Sequence, residues 1–392
     1  MQPVIDLDKE YGIVLEGGGA KGAYQVGAWQ AMQEAGVKIK GVAGTSVGAL
    51  NGAMMCMDDP DRAVKVWSQL TYSQVMDVED EKMQRILSGN AALWEAVGDM
   101  LRTMGEGGLD ITPLKNLILE VVDEEKIRNS PIELYIKTFS VDEFRELDID
   151  LKTVEPGYMK DLLLASAYIY PLFKNEKLHG RKYIDGGAIN NVPLDSLISR
   201  GYQDIIMVRI FGIGREKRVK IPEGTQILTI QPRVNLGNII DFNPQKSKRN
   251  MKIGYYDAKR MLYGLKGRIY YIEENEEECY YLRKLLQIPE YARDKVLDWY
   301  HLSECGDGWV RAMVEKVFPG IAMELKISRE WTYRELYLAV LEATAKICRV
   351  PKYRIYTVKE LSEAVQERME EMSLEYLEEL PVFVWFLAAF SE

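Results

Sequence analysis

The sequence predicts an α/β protein with a parallel sheet covered by helices on both faces, followed by a mostly helical C-terminal extension. The prediction rests on two units at the start of the chain, in each of which an apolar strand runs through glycine into a helix. Successive units of this kind place their strands parallel in one sheet. With 392 residues, 47% of them hydrophobic, the chain can build one large domain and an appendage.

The opening elements follow from hydrophobic runs and glycines. We predict a strand at 11–16 and a helix at 20–34, which Gly36 ends because glycine is favoured just past a helix C-terminus. A second strand at 39–43 leads to a helix of small residues at 46–57. These are the two units on which the predicted fold class depends.

The rest of the chain changes character twice. Residues 58–126 are predicted as mostly helical, with a glycine-rich break at 105–108. The other predicted elements are strands at 132–141, 145–151, 204–211 and 225–231, short strands flanking Gly180, and helices at 159–167, 193–200 and 246–262. An acidic run at 273–278 begins a stretch with few strand signals, so we divide the chain into residues 1–270, which carry the motifs, and an extension, 271–392, of unknown role.

The composition excludes several classes of function. A formal net charge of −10 argues against nucleic acid as a partner, because phosphate binding needs a basic surface. Two basic stretches, 215–220 and 246–252, are interpreted as solvated charge, with contact with a lipid surface as the alternative. Four scattered cysteines indicate neither a disulfide framework nor a zinc site. The N-terminus lacks the features of a secretory signal, and no run reaches the ~18 apolar residues of a membrane span. We therefore expect a cytoplasmic protein, with peripheral membrane contact as an alternative.

Ser46 is the first candidate for chemistry, at the centre of Gly44-Thr45-Ser46-Val47-Gly48. At a sharp turn from strand to helix, glycines two residues before and after remove the side chains that would clash. The hydroxyl then projects at the positive end of the helix dipole, which favours a developing oxyanion. An ordinary turn of small residues is the alternative, but the flanking strand and helix favour a nucleophile.

The glycine-rich run at 17–22, Gly-Gly-Gly-Ala-Lys-Gly, is the second candidate. Its consecutive backbone N–H groups can converge on one concavity and form an oxyanion cradle. Nucleotide binding competes with this interpretation, since Gly17, Gly19 and Gly22 also fit GxGxxG. The next strand ends without the acidic residue of a dinucleotide site, and there is no GKS or GKT. An oxyanion cradle is therefore the better interpretation.

The base that activates the serine is predicted to be Asp185, in the Asp-Gly-Gly at 185–187. Neither of the two histidines, His179 and His301, lies in a recognisable nucleophile-partner motif. A free aspartate is a weak base, so proton transfer must be concerted with attack, and partial burial near Ser46 would raise the carboxyl pKa. An Asp-Gly turn without a catalytic role is the alternative.

In this order, the glycine run, the serine elbow and the Asp-Gly-Gly resemble the motifs of the patatin-like phospholipase family. A fourth segment at 165–171, Ala-Ser-Ala-Tyr-Ile-Tyr-Pro, is similar to the family's Ala-Ser-x-x-x-x-Pro. The resemblance covers residues 11–265. It implies a three-layer α/β/α fold with a mainly parallel central sheet, and a Ser-Asp dyad that hydrolyses fatty-acyl esters of lipids. It implies no metal or cofactor.

Carried onto this sequence, the resemblance makes Ser46 the nucleophile and Asp185 the base. The oxyanion donors are then the backbone N–H groups of Gly17, Gly18, Gly19 and Val47. The residues that support the motifs are Lys21, Gly22, Gly44, Gly48, Gly186 and Gly187. Lys21 occupies the family's basic position, where we favour structural support over supply of charge near the cradle.

Two apolar segments leave alternatives open. In the insert after the elbow helix, large apolar side chains are either core or the wall of a substrate groove. They are Trp67, Leu70, Tyr72, Val75, Met76, Leu93, Trp94, Val97, Met100, Leu101 and Met104. The C-terminal segment 382–390 either packs on the protein's own core or on a second subunit, or inserts at a membrane interface.

We therefore predict a serine lipid acyl hydrolase of phospholipase A or lysophospholipase type, whose substrate is an acyl-ester lipid. One alternative is an acyltransferase that uses an alcohol other than water. Another is a lipid-binding or scaffolding protein with little turnover. The motifs do not specify the lipid head group, the chain length, the ester position or the oligomeric state.

Overall fold

The chain folds into two compact units, Met1–Tyr263 and Gly264–Glu392. The structure is a computed structural model that describes residues 1–87, 108–169, 172–174 and 176–387. The boundary differs from the one predicted after residue 270, because Tyr270 already belongs to the core of the second unit and Ile269 packs against it.

A mainly parallel sheet forms the centre of the first unit. In the described ranges its strands are β1 (Glu10–Leu15), β2 (Lys38–Thr45), β3 (Glu133–Ser140), β4 (Arg145–Asp150), β5 (Tyr183–Asp185), β6 (Asp204–Val208) and β7 (Gln226–Ile230). The strand order is β4-β3-β2-β1-β6-β7, and β5 also pairs with β3. Strands β4 and β5 run antiparallel to β3, and the other pairs are parallel.

Helices cover both faces of this sheet. The described helices of the unit are α1 (Ala23–Glu34), α2 (Val47–Cys56), α3 (Pro60–Gln69), α4 (Asp80–Leu87), α5 (Thr112–Val121), α6 (Glu124–Asn129), α7 (Met159–Ser166), α8 (Leu194–Ile198) and α9 (Pro244–Tyr263). Leu197 of α8 shares a core cluster with Ala43 of β2, whereas Gly52 of α2 lies against Val42. Adjacent residues of a strand point to opposite faces, so α2 and α8 lie on opposite sides. The predicted α/β/α layering is confirmed.

The carboxyl ends of β1, β2 and β6 meet at one edge of the sheet. Leu15 of β1 pairs with Gly44 of β2 on one side and with Val208 of β6 on the other. Ligand sites in parallel sheets lie at this edge. The glycine run after β1 and the serine turn after β2 therefore lie side by side.

Strand β6 ends at Val208, which is earlier than the predicted end at residue 211. The backbone N–H groups of Ile210 and Phe211 donate to the carboxylate of Glu16 at 2.7 and 3.0 Å. A side chain thus supplies the partners that a neighbouring strand would otherwise provide, and the chain leaves the sheet as a loop.

The second unit is mostly helical, as predicted. It contains α10 (Glu278–Leu286), α11 (Glu290–Trp299), α12 (Trp309–Ala312), a π-helical turn (Met313–Val317), α13 (Phe318–Glu324), α14 (Tyr333–Ile347), α15 (Val358–Glu370) and α16 (Leu374–Glu378). A two-stranded parallel sheet joins β8 (Tyr271–Glu273) to β9 (Ile355–Thr357). The segment Val382–Leu387 is buried in the core of this unit, which is the first of the alternatives for the apolar C-terminal segment. Residues 388–390 lie outside the described ranges.

None of the helices in these ranges combines the length and the apolar character needed to cross a bilayer.

Candidate active site

Ser46 lies at a sharp turn between β2 and α2. Its φ of 55° and ψ of −125° fall in a region that non-glycine residues rarely adopt and that is found at functional sites. A Cβ atom on Gly44 would lie 2.3 Å from the carbonyl oxygen of Gly48, and one on Gly48 would lie 2.3 Å from that of Leu15. Both glycines are therefore required by the close packing of this turn.

The backbone of Ser46 is fixed from the side by Ser166, the last residue of α7. The Ser46 N–H donates to the Oγ of Ser166 at 2.9 Å, and this hydroxyl donates to the carbonyl oxygen of Lys137 at 2.7 Å. The side chain of Ser46 does not cap α2, although Ser46 is the N-cap residue. Its hydroxyl is thus left for another partner.

That partner is Asp185, at the end of β5. Its Oδ1 accepts a hydrogen bond from the Gly187 N–H at 2.7 Å, and its carboxylate also hydrogen-bonds the side chain of Ser46. Gly186 packs against β3 so closely that a Cβ atom would lie 2.5 Å from a backbone oxygen of that strand. Burial raises the pKa of Asp185 to about 6, although the bonds from Ser46 and Gly187 act to lower it. The structure thus brings the predicted nucleophile and the predicted base together.

The glycine run begins with a residue whose N–H is already engaged. Gly17 N–H donates to the carbonyl oxygen of Asn191 at 3.0 Å, which differs from its predicted part as an oxyanion donor. Throughout the described ranges, the N–H groups of Gly18 and Gly19 donate to no other group. Val47 is the first residue of α2, a position whose N–H has no partner within its own helix.

Lys21 and Gly22 contact neighbouring segments. The Nζ of Lys21 donates to the carbonyl oxygen of Phe211 at 2.6 Å, and burial lowers the pKa of this lysine. The carbonyl oxygen of Gly22 accepts a hydrogen bond from the Asn51 side chain at 3.0 Å. Of the two roles left open for Lys21, these contacts favour structural support.

Glu16, which the sequence analysis did not single out, fixes the loop after β6. Its buried carboxylate accepts hydrogen bonds from the N–H groups of Ile210, Phe211 and Gly212 and from the Nε of Arg209, at 2.7, 3.0, 3.2 and 2.9 Å. A carboxylate that directly follows a buried strand and precedes three glycines is the only local signal for this role in the sequence.

Asn191 connects the glycine run to the Asp-Gly-Gly turn, and it was also missed. Its Nδ2 donates to the carbonyl oxygen of Gly17 at 3.0 Å. Its N–H donates to the carbonyl oxygen of Arg215 at 2.6 Å, and the Arg215 N–H donates to that of Gly187 at 2.9 Å. Only its nearness to the Asp-Gly-Gly in the chain could have drawn attention to Asn191.

Two cavities meet at Ser46. The first has a volume of about 90 Å³ and a lining that is almost entirely apolar. Its wall includes Leu50 and Met54 of α2, Val66, Trp67 and Leu70 of α3, and Leu114, Leu117, Ile118 and Val121 of α5. The second, of about 200 Å³, is lined by Gly18, Gly19, Ser46, Ile169, Ile184, Asp185, Gly187, Ala188, Asn191, Ile213, Gly214 and Ile239.

The apolar insert contributes to the first cavity. Trp67, Leu70, Val75 and Met76 line it, so these four are part of a groove beside Ser46. Tyr72 is buried, and its hydroxyl donates to Asp241 at 2.6 Å. Leu93, Trp94, Val97, Met100, Leu101 and Met104 lie outside the described residues, as do residues 170 and 171 of the fourth motif segment.

His179 has contacts of its own with residues other than Ser46 in the described structure. The Nε2 of His179 lies 2.7 Å from an oxygen of Asp161, and its ring stacks on Tyr158. His301 belongs to the second unit. Across the described ranges, no group of three or more His, Cys, Asp or Glu side chains is placed to hold a metal ion.

Comparisons with known proteins show what this chain is similar to. The sequence model of the Patatin-like phospholipase family matches residues 13–198. A patatin-like phospholipase domain-containing protein of Caenorhabditis elegans is 26% identical over 204 residues, which are 50% of this chain and 13% of that protein. A lysophospholipase of Mycosarcoma maydis is 23% identical over 207 residues, 52% of this chain and 10% of that protein. The crystal structure of VipD from Legionella pneumophila aligns with a TM-score of 0.40 and 14% identity over 97% of this chain and 91% of VipD.

The chain spans only a small part of the length of these curated relatives. The region matched by the family model contains the glycine run, the serine turn and the Asp-Gly-Gly, which the structure gathers around two cavities. Residues 13–198, just under half of the chain, are similar to the patatin-like phospholipase family.

Proposed function

We propose that this chain hydrolyses fatty-acyl esters of lipids, as a phospholipase A or lysophospholipase, through an acyl-Ser46 intermediate. The observation that carries the proposal is the position of Ser46, which lies between a buried carboxylate and an apolar cavity. Relatives that are described as a patatin-like phospholipase domain protein and as a lysophospholipase support the same class of substrate.

In the first half of the reaction, Asp185 accepts the proton of the Ser46 hydroxyl while Oγ attacks the ester carbonyl. The N–H groups of Gly18, Gly19 and Val47 donate to the oxyanion as it forms, because they lie at two adjacent turns and have no other acceptor among the described residues. Donors fixed before the reaction lower the barrier by roughly 3–4 kcal/mol each. The carbonyl then reforms, the alcohol leaves with the proton from Asp185, and the acyl group stays on Ser46.

In the second half, water replaces the alcohol. Asp185 accepts a proton from the water molecule as its oxygen attacks the acyl carbonyl, and the same N–H groups stabilise the second oxyanion. Collapse releases the fatty acid and returns the proton to the Oγ of Ser46. Burial suits Asp185 to this work, since a pKa of about 6 makes it a stronger base than a free aspartate while it stays ionised at neutral pH.

The two cavities accommodate different parts of the substrate. The acyl chain occupies the apolar cavity beside α2, where Leu50 and Met54 follow Val47 at helical spacing and lead away from Ser46. The alcohol part occupies the second cavity, which contains Asp185 and Asn191 and therefore carries polar groups. The predicted substrate is an ester with a long apolar acyl chain and a polar alcohol.

The direct test replaces each member of the dyad and measures hydrolysis of acyl nitrophenyl esters. We expect Ser46→Ala and Asp185→Asn each to reduce kcat/KM by about 10³-fold or more, because loss of a nucleophile or its base removes the acylation step. A fluorophosphonate probe should label the unmodified protein at residue 46 and leave Ser46→Ala unlabelled.

A protein without histidine is the matched control. The chain has two histidines, and both have positive φ, at 49° and 57°. Asparagine tolerates this conformation, so the double variant His179→Asn, His301→Asn should fold. We expect it to keep kcat/KM within about twofold of the unmodified protein. Loss of activity in this control, with activity retained in Asp185→Asn, would make an imidazole the base and reject the dyad.

A further inference from the structure

The loop that follows β6 has features that the reaction does not use. We define residues 209–221 as the docking loop. Phe211 and Ile213 are large apolar side chains that are 49% and 77% exposed, and Ile221 at the end of the loop is 42% exposed. Single exposed apolar residues are common, but three in one short loop beside an active site need an explanation.

The docking loop is fixed rather than loosely attached. Phe211 has a φ of 48°, a conformation that is costly for a bulky residue and needs support from its surroundings. That support comes from Glu16, which binds three consecutive N–H groups beginning at Ile210, and from Lys21, which binds the Phe211 carbonyl. The same contacts that shape the glycine run therefore hold an aromatic ring at the surface.

The docking loop has a net positive charge, opposite in sign to the net charge of the whole chain. The whole protein has a net charge of −10, whereas positions 209, 215, 217, 218 and 220 are basic and only Glu216 is acidic. Arg209 and Lys217 are paired with carboxylates. Arg215, Arg218 and Lys220 are exposed and form no ion pair with any residue in the described ranges. Their charge is available to an external anion.

The position of the loop indicates what it would bind. Ile213 and Gly214 line the second cavity together with Ser46 and Asp185, so the apolar tip lies at the entrance to the site. Exposed aromatic and aliphatic side chains flanked by Lys and Arg are the combination that binds an anionic bilayer surface. We infer that the docking loop seats the protein on an anionic lipid surface and opens the second cavity toward it. The inference names the lipid surface at which the proposed hydrolysis takes place. Turnover at that surface rests on the proposed function, whereas binding to the surface does not.

The test is flotation of the full chain with vesicles of phosphatidylcholine alone or of phosphatidylcholine mixed with phosphatidylglycerol. We expect binding to the mixed vesicles only, and weaker binding when salt rises from about 0.1 M to about 1 M, since the screening length falls from ~10 to ~3 Å. Using Ser46→Ala for all flotation separates adhesion from hydrolysis. If the proposed function fails but the vesicles still bind through the loop, the inference survives.

Two pairs of matched variants locate the binding surface. Arg218→Glu, Lys220→Glu should weaken binding to mixed vesicles by at least about tenfold, since each basic residue near an anionic surface contributes roughly fivefold. The control Lys38→Glu, Lys40→Glu makes the same charge change on exposed residues at the opposite end of β2 from Ser46, and should bind as the parent does.

The second pair tests the apolar tip. Phe211→Asn should weaken binding by about tenfold or more, because it removes an exposed ring at a position where asparagine tolerates positive φ. Phe144 offers the control, as it is 84% exposed and has a φ of 50°, and Phe144→Asn should bind as the parent does. The inference is overturned if the parent does not float with mixed vesicles, or if the loop variants and their controls bind equally.

Discussion

Burial makes Asp185 a stronger base and also makes its ionisation unfavourable for folding. Its side chain is buried beside Ser46, and that burial raises its pKa to about 6. As a base it must be ionised, so the active fraction of the protein grows as pH rises through this value. A hydrolase that depends on Asp185 should therefore lose activity in mild acid.

The first residue-scale prediction is a pH profile. Below pH 6, kcat/KM for a soluble nitrophenyl ester should fall about tenfold per pH unit, and above about pH 7 it should be level, because kcat/KM follows ionisation of the free enzyme's base. The histidine-free double variant should give the same profile. A profile that becomes flat in that variant would assign the titration to an imidazole.

The second residue-scale prediction concerns stability. The folded pKa lies above the unfolded one, so ionisation of Asp185 opposes folding, and the cost develops as pH rises from about 4 to about 6. Asp185→Asn removes this cost, up to about 3 kcal/mol at pH 7 and almost none at pH 3.5. Urea unfolding at the two pH values should show an inactive variant that is more stable than the parent only at the higher pH. If Asp185→Asn and the parent differed in stability by the same amount at both pH values, a buried Asp185 with a raised pKa would be contradicted.

At the scale of elements, helix α2 both presents the nucleophile and builds the acyl cavity. Val47 and Met54 are seven residues apart on α2, so they are separated by roughly 10 Å along the helix axis. Both line the apolar cavity, and Met54 is therefore far from the reacting carbonyl. A larger side chain there should shorten the cavity without changing the chemistry at Ser46.

We therefore predict a change of chain-length preference in Met54→Phe. Its kcat/KM for a dodecanoyl nitrophenyl ester should fall by about tenfold or more, since a lost fit of a few methylene groups is worth roughly 1–3 kcal/mol. The value for the butanoyl ester should stay within about threefold. Met54→Leu, which nearly conserves volume, is the control and should keep the parent's preference. Equal losses on both esters would place the acyl chain elsewhere.

The elements nearest the chemistry were predictable because their signals are local. Glycines that bracket Ser46 in the sequence are also the residues that close packing requires in the structure, at Gly44 and Gly48. The end of β6 was not predictable in this way. It depends on Glu16, which lies nearly two hundred residues earlier in the chain. Its carboxylate binds N–H groups that a neighbouring strand would otherwise bind. Asn191 was missed as a support for the same reason, and Ser166 was noted only as part of the motif segment 165–171, since the roles of both depend on contacts distant in sequence.

At the scale of the whole molecule, each unit has its own core. The second unit buries a continuous set of apolar side chains that includes Phe318, Leu341 and Phe386. Phe318 is fully buried, and its ring lies 6.0 Å from that of Phe386 in the apolar C-terminal segment. A core of this kind is what a segment needs to fold alone.

We predict that residues 264–392 fold as an isolated segment. Its thermal or urea unfolding should be cooperative, with a stability of roughly 5 kcal/mol or more. Phe318→Ala in the segment should lower the stability by about 3–5 kcal/mol, because it removes a fully buried ring. The exposed Met323, changed to alanine, is the control and should have little effect. A featureless unfolding curve for the unmodified segment would show that its core does not suffice.

Glu16 and Lys21 flank the three glycines, and each also forms a hydrogen bond with the backbone of Phe211. Binding to the lipid surface and catalytic turnover therefore cannot be changed independently through these two residues. A substitution at Glu16 that loosens the grip reshapes the cradle as well, so retuning such a protein for a different membrane must proceed through the side chains of the loop while its two anchors stay unchanged.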